Sequence, residues 1–212
     1  MKVGTSTWGV LQADPVKSKE MKEKIRVEYL RRVKLLAKSK LYAGHLVAGV
    51  NAWAVGVVRY SIGILDWTKK DMKAMDVKTR KILAMCGAFR KLSSVDRLYM
   101  KRKDRGRGLI SVEECVISEE KSLPEYVGSS EEWMLKETAN LLKVGENKCE
   151  YQKRLEREWK ERLQAKKVHG RFLEDVREVA DERSWQWLKA GYLTPSTDSY
   201  IFGAQEQVLR TR

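Results

Sequence analysis

Within this 212-residue chain, Arg105-Gly106-Arg107-Gly108 is the stretch whose residue types and spacing suit anion chemistry. Two guanidiniums alternate with two glycines, so forked donors stand beside backbone that can come close to a phosphate. The competing reading is a surface turn whose arginines pair with a nearby acidic helix, since a run of charge is usually a solvated face. The wider segment from Asp66 to Gly108 holds 14 basic residues against five acidic ones. Contacts from it to several phosphates would release counterions and make binding steeply salt-dependent.

Other chemistries find little to work with. His45 and His169 are far apart, and no two of Cys86, Cys115 and Cys149 are close enough for a zinc pair, which usually spans two to four residues. His45, in an apolar stretch, reads as a buried, hydrogen-bonded histidine, and His169 as a residue at a helix junction. Asp66, Asp71 and Asp76 step by five, which puts successive members on different helix faces rather than around a metal pair. Glu113-Glu114 and Glu119-Glu120 read as helix starts and solvated faces. There is no Tyr-x-Asp-Asp, no nucleophile elbow, no phosphate-binding P-loop and no dinucleotide fingerprint. The sequence therefore predicts a chain that is not an enzyme by itself, with no catalytic residues, no cofactor and no metal. Trp185 and Trp187, two apart, cannot share a helical face, so one is expected to be exposed or to bridge two helices.

These groups sit in a strongly basic protein. Lys and Arg number 43 against 29 Asp and Glu, a formal charge of +14. That excess points to a polyanionic partner, a nucleic acid or an anionic membrane face. With 42% hydrophobic residues the chain can bury a core, and 34% charged residues with few prolines exclude collagenous or low-complexity classes. Three widely spaced cysteines argue against a disulfide scaffold and for a reducing compartment, nuclear or cytoplasmic and in either case intracellular. No secretory signal is visible at the start. Leu41–Val58 is free of charge, but His45, Asn51 and three glycines interrupt it. It reads as a buried helix, with no membrane role.

The elements that must position the cations are helical throughout, so the fold class is mainly α. Asp14-Pro15 predicts a helix start, and Ile25, Tyr29, Val33, Leu36 and Ala37 form its apolar stripe up to about Lys40. The rest of that helix carries ten basic residues against Glu20, Glu23 and Glu28. Leu41 to Leu65 is apolar on most sides and belongs at the centre of a bundle, with Gly63 a candidate stop. Thr68-Lys-Lys-Asp71 predicts a capping box and a helix to about Met85, with Lys69, Lys70, Lys73, Lys78, Arg80 and Lys81 on its outer face. Ser93-Ser-Val-Asp96 predicts a short helix through Tyr99, and Ser111-Val-Glu-Glu114 another capping box. Glu113 to Glu137 reverses the charge and, with Pro124 and Gly128-Ser129-Ser130, marks the best boundary between two halves. Further helices are predicted over 131–143, over 146–167 with Tyr151, Leu155, Trp159 and Leu163 inside, around Phe172, Leu173, Val176 and Val179, over 184–190 up to Gly191, and from Thr194-Pro195 to Arg210 with Ile201, Ala204, Val208 and Leu209 inside.

Two blocks carry a family resemblance. Leu46–Trp67 (LVAGVNAWAVGVVRYSIGILDW), continuing through Thr68–Met85 into Val95–Cys115 (VDRLYMKRKDRGRGLISVEEC), resembles the region after the catalytic palm in non-long-terminal-repeat retrotransposon reverse transcriptases of the restriction-like-endonuclease class. His169–Thr211 is similar to the later linker of the same polyproteins. The resemblance covers the chain from about Trp8 and implies a thumb and linker without palm, zinc knuckle or endonuclease. It implies a thumb-like helical bundle with a basic loop over 8–110 and a helical linker region over 111–212. The implied partners are RNA, DNA or an RNA–DNA hybrid, and a reverse-transcriptase palm in the parent polyprotein. The implied nucleic-acid-binding residues are Lys22, Arg26, Arg31, Arg32, Arg59, Arg102, Arg105 and Arg107. The opening MKVGTSTW departs from the Tyr-Leu-Gly expected before the thumb. Arg105 stands where the family usually has the first of two glycines, which adds charge and restricts the turn. The alternative function is a helical protein-interaction module with no nucleic-acid role, its basic faces docking acidic partners.

Overall fold

Local side-chain chemistry sets several of the helix ends that the sequence predicts. The computed structural model describes residues 6–7, 10–11, 18–129, 131–132, 134–135, 146–176 and 179–209. The predicted start at Asp14-Pro15 and most of the predicted helix over 131–143 lie outside the described residues. The fold is mainly α, as expected. A two-residue antiparallel ladder pairs β1 (Ser6–Thr7) with β2 (Val10–Leu11), Ser6 opposite Leu11.

Helix α1 (Ser18–Lys38) buries Met21, Ile25, Tyr29 and Val33, one residue per turn along a single stripe. It packs beside α4 (Lys69–Met85), which begins at the predicted capping box. Thr68 Oγ1 accepts from Asp71 N at 3.2 Å, and the Asp71 carboxylate reaches back to Thr68 N. The two helices run in the same sense. Lys22 meets Asp71 near their starts, and the Tyr29 hydroxyl meets Thr79 Oγ1 at 2.9 Å further along.

The apolar stretch between them is the centre of the bundle. It forms α2 (Ala43–Gly49), a widened π-helical turn over Val50–Ala54, and α3 (Val55–Arg59). Leu46, Val50, Ala54, Val55 and Val58 are all buried. Each of the buried leucine and valine side chains contributes about 1.5–3 kcal/mol on leaving water. Helix α3 ends four residues before Gly63, which falls in the turn that follows. Among the described residues no helix is long and apolar enough to cross a membrane.

A short α5 (Val95–Tyr99) leads through a 3-10 turn (Arg102–Asp104) to α6 (Val112–Ser129). Helix α6 continues through Pro124. It packs on α3 and α4, and α7 (Lys148–Gln164) packs on α5 and α6. The predicted stripe of α7 holds, with Tyr151, Trp159 and Leu163 buried and Leu155 partly so. A single cluster therefore joins Val33, Val50 and Met75 to Val112, Cys115, Val116, Trp159 and Leu163. It crosses the expected boundary at 110/111.

The remainder is α8 (Arg171–Asp175), a 3-10 turn (Arg183–Trp185), α9 (Gln186–Ala190) and α10 (Pro195–Gln205). Val179, expected inside a helix, is exposed. Trp185, Leu188 and Phe202 form a second, smaller cluster. Helix α10 differs from its predicted orientation. Its buried face is Asp198, Ser199, Phe202 and Gly203, followed by Glu206, while Ala204 is exposed.

Candidate nucleic-acid interface

The loop from Arg97 to Leu109 folds back on itself. Arg107 N donates to Arg97 O, Gly108 N to Met100 O and Leu109 N to Leu98 O, at 2.8–3.1 Å. Gly106 N donates to Lys101 O and Arg105 N to Arg102 O, both at 3.0 Å. A side chain at Gly106 would come within 2.1 Å of Met100 O, so only glycine fits there. The amides of residues 105–109 are thus spent on the loop's own carbonyls, and none is left to cradle a phosphate.

The arginines of this loop are turned to the interior, which corrects the expectation drawn from their spacing. Arg107 is 6% exposed, pairs with Asp198 of α10 and donates to Ala88 O. It cannot reach a nucleic acid without leaving that carboxylate buried and unpaired. Arg102 is half-buried and donates to Leu188 O. Burial pushes its pKa down, the Asp198 charge opposing the shift. Arg105 is half-buried, stacks its guanidinium 4.6 Å from the Trp185 ring centre and holds a left-handed backbone at φ 65°.

The sequence reading missed the residue that organises this junction. Arg97 is 1% exposed. Its Nη1 lies 3.8 Å from Glu206 Oε1, Nη2 donates to Gln205, Nε donates to Arg105 O at 3.2 Å, and the guanidinium lies over Phe202. Burial lowers its pKa to about 10, with Glu206 supporting the charge and Arg107 opposing it. Glu206 Oε2 also accepts from Ser94 N at 2.8 Å, at the start of α5. The expected pairing of Arg105 and Arg107 with the nearby acidic helix does not form: Arg107 takes Asp198, near the far end of the chain, and Arg105 stacks on Trp185.

The implied positions outside the loop are spread along the bundle, and most are held by the protein itself. Arg31 grips Glu28 through two donors at 2.7 and 2.8 Å, and Arg32 Nε adds a third at 2.8 Å. These bonds lower the Glu28 pKa to about 2. Arg32 also donates to Trp53 O at 2.9 Å and stacks on that ring. Lys22 lies 3.6 Å from Asp71 and over Trp67, Arg26 lies 3.4 Å from Glu23, and Arg59 reaches Glu119 at 3.1 Å.

Several cations have no carboxylate partner among the described residues, Lys24, Lys34, Lys38 and Lys40 among them, and six of them gather on α4. Lys69, Lys70, Lys73 and Lys81 are exposed, and Lys78 and Arg80 are half-buried. At 100° per residue all six fall on the half of the helix opposite Met72, Met75, Thr79 and Ile82. No carboxylate lies within 4 Å of any of them among the described residues, and Arg80 donates to the Tyr99 hydroxyl at 2.8 Å. The α1 cations Lys22 and Arg26 belong to the neighbouring helix.

A groove of about 570 Å³ runs between α4 and α7. Lys69, Lys73 and Arg80 line one rim, and Arg154 and Arg162 the other. The α7 arginines are already committed, Arg154 to Glu146 and Glu158 and Arg162 to Asp96. At the foot of the groove stand two carboxyl groups with raised pKa. Burial pushes Asp76 up to about 6 and Glu114 up to about 7. Asp76 accepts from Val112 N at 2.8 Å and Glu113 N at 3.4 Å, so it caps α6 from the side of α4. Among the described residues no group of His, Cys, Asp and Glu could hold a metal ion. His45 is exposed rather than buried, with its ring 6.1 Å from Tyr42 and 6.2 Å from Tyr192. Trp185 is buried and Trp187 half-buried, edge-on to Phe202.

The arrangement offers positive side chains along α4, and a separate loop whose amides and whose Arg107 find their partners within the protein. No family model, no curated protein and no solved structure matches the chain.

Proposed function

We propose that the protein binds a nucleic-acid duplex, an RNA–DNA hybrid or either nucleic acid alone, along its sugar–phosphate backbone, with the outer face of α4 as the contact surface. The observation that carries this is the set of six α4 cations with no carboxylate partner among the described residues. From Lys69 to Lys81 they extend about 18 Å along the helix. That length suits several consecutive phosphates, and contacts of this kind position a duplex without reading its sequence.

The role is that of the thumb and linker of a non-long-terminal-repeat retrotransposon reverse transcriptase, acting beside a palm that supplies the chemistry. The helical architecture is consistent with it. So is Arg105, whose backbone is left-handed at the position where the family usually has glycine. The Arg-Gly loop enters this reading as the structural brace of the bundle, with α4 as the phosphate surface.

Titration of a labelled RNA–DNA hybrid by fluorescence anisotropy over a range of salt concentrations tests the proposal. Affinity falls steeply as salt rises, and Lys69→Ala/Lys70→Ala/Lys73→Ala reduces the slope of log K against log salt by about 2–3. Binding that is absent, or indifferent to salt, overturns it in favour of a helical protein-interaction module.

A further inference from the structure

Three aromatic rings from two distant segments meet at the surface where α2 begins. Tyr42 and Tyr192 stand 5.9 Å apart, edge to face, and His45 lies 6.1 and 6.2 Å from them. They are not core residues. Tyr42 is 46% and Tyr192 67% exposed, and His45 is exposed as well. Buried aromatics fill the cores of this protein, so three exposed rings gathered in one place call for a different account.

The backbone beneath them is fixed. Ala43 N donates to Leu193 O at 2.8 Å and Gly44 N to Gly191 O at 3.3 Å. A side chain on Gly44 would come 2.9 Å from the Gly191 Cα, so the two segments touch as closely as backbones can. Arg102 reaches the same junction, where its Nη1 donates to Leu188 O. The rings are therefore presented by a braced support, which limits the ordering that binding would otherwise require.

The surroundings are positive. Lys38 closes α1 and Lys40 precedes Tyr42 by two residues. Both are exposed, with no carboxylate within 4 Å among the described residues. Exposed π-faces beside unpaired cations match a nucleotide, whose base stacks and whose phosphate is anionic. With the ring centres 5.9 Å apart and edge to face, no base fits clamped between the two tyrosines, so stacking falls to the exposed part of one ring.

We propose that Tyr42, His45 and Tyr192 form a stacking platform for an unpaired base of the bound nucleic acid, with Lys38 and Lys40 holding its phosphates. This rests on the nucleic-acid reading above and names the part of the ligand that leaves the duplex. Stacking needs the ring and not the hydroxyl, so phenylalanine serves in place of tyrosine.

The test uses the full chain with three probes: a blunt RNA–DNA hybrid, the same hybrid with a short single-stranded overhang carrying 2-aminopurine, and that labelled strand alone. The overhang binds about tenfold more tightly than the blunt hybrid, and its fluorescence is quenched by stacking. Tyr192→Leu removes the quench and the added affinity but leaves blunt-hybrid binding unchanged, while Tyr192→Phe keeps both. Because the ring is largely exposed, thermal melting of the variants matches the parent protein. Equal affinity for blunt and overhanging hybrids, or a quench that survives Tyr192→Leu, overturns the platform. Quenching of the single strand without blunt-hybrid binding would remove the duplex reading and leave the platform standing. Blunt-hybrid binding without any quench would do the reverse.

Discussion

The Asp198 carboxylate closes on the Arg107 guanidinium across 91 residues of sequence, inside the protein. Both side chains are 7% exposed, so each shields the other from an uncompensated burial. Asp198→Asn and Arg107→Met each lower the unfolding free energy by about 3–5 kcal/mol, because each leaves a charge stranded. The double variant loses clearly less than the sum of the two. Urea denaturation of the four proteins checks the cycle, and additive losses would show that the two groups do not act as a pair.

Arg105 sets a backbone preference against a side-chain contact. Its left-handed conformation costs about 1–2 kcal/mol for a residue with a Cβ, and its stacking on Trp185 returns about 0.5–1 kcal/mol. Arg105→Gly removes both and changes stability by less than about 1 kcal/mol. Arg105→Ala keeps the strained backbone and loses the contact, so it is the less stable of the two by about 1 kcal/mol. Thermal melting gives the order, and an alanine variant as stable as the glycine variant would contradict it.

Glu114 makes stability depend on pH in an unusual direction. Its pKa is raised from 4.5 to about 7, chiefly by burial, with Glu156 and Asp76 adding repulsion and Lys101 opposing. The folded state therefore holds this proton more tightly than the unfolded state does. Its contribution is fully present below about pH 4.5 and is lost as pH rises towards 7. Asp76 acts in the same sense up to about pH 6. Glu114→Gln flattens the fall in stability between pH 4.5 and 7 and raises stability at pH 7 by about 1–3 kcal/mol. Denaturation curves across that range check it, and an unchanged slope would place the titration elsewhere.

Asn51 holds the loop to the bundle through a widened helical turn. Its Nδ2 donates to Gly108 O at 2.8 Å and its Oδ1 accepts from Ile110 N at 2.9 Å. Asn51→Leu leaves a donor and an acceptor without partners and lowers stability by about 2 kcal/mol. Amide hydrogen exchange at Ile110 reports the break directly, rising in the variant while the centre of α1 stays protected.

Much of the architecture is legible in the sequence because its causes are local. Thr68 and Asp71 lie within one turn of each other, and their capping box appears as expected. The stripe of Tyr151, Leu155, Trp159 and Leu163 repeats every four residues, and α7 turns it inward with only Leu155 partly exposed. The outer cations of α4 follow from the same periodicity. What the sequence hides is partnership at a distance. An arginine beside glycine in a loop looks the same whether its anion is a phosphate in solution or Asp198 at the other end of the chain. Helix α10 shows a second limit, because apolar periodicity points to Ile201, Ala204, Val208 and Leu209. The face actually buried, Asp198, Phe202 and Glu206, is mostly polar and becomes recognisable only once Arg97 and Arg107 are opposite it. The widened turn at Val50–Ala54 leaves no compositional mark either.

Because Arg97 and Arg107 find their counterions only at residues 206 and 198, the order of synthesis matters. A ribosome delivers these two cations roughly a hundred residues before the acids that neutralise them, and until then neither can enter a dry environment without a large penalty. The nascent bundle must keep that corner wet and open while α6 and α7 emerge. Closure is therefore a late event that waits for α10, and chains released before Glu206 are the ones quality-control proteases would remove first.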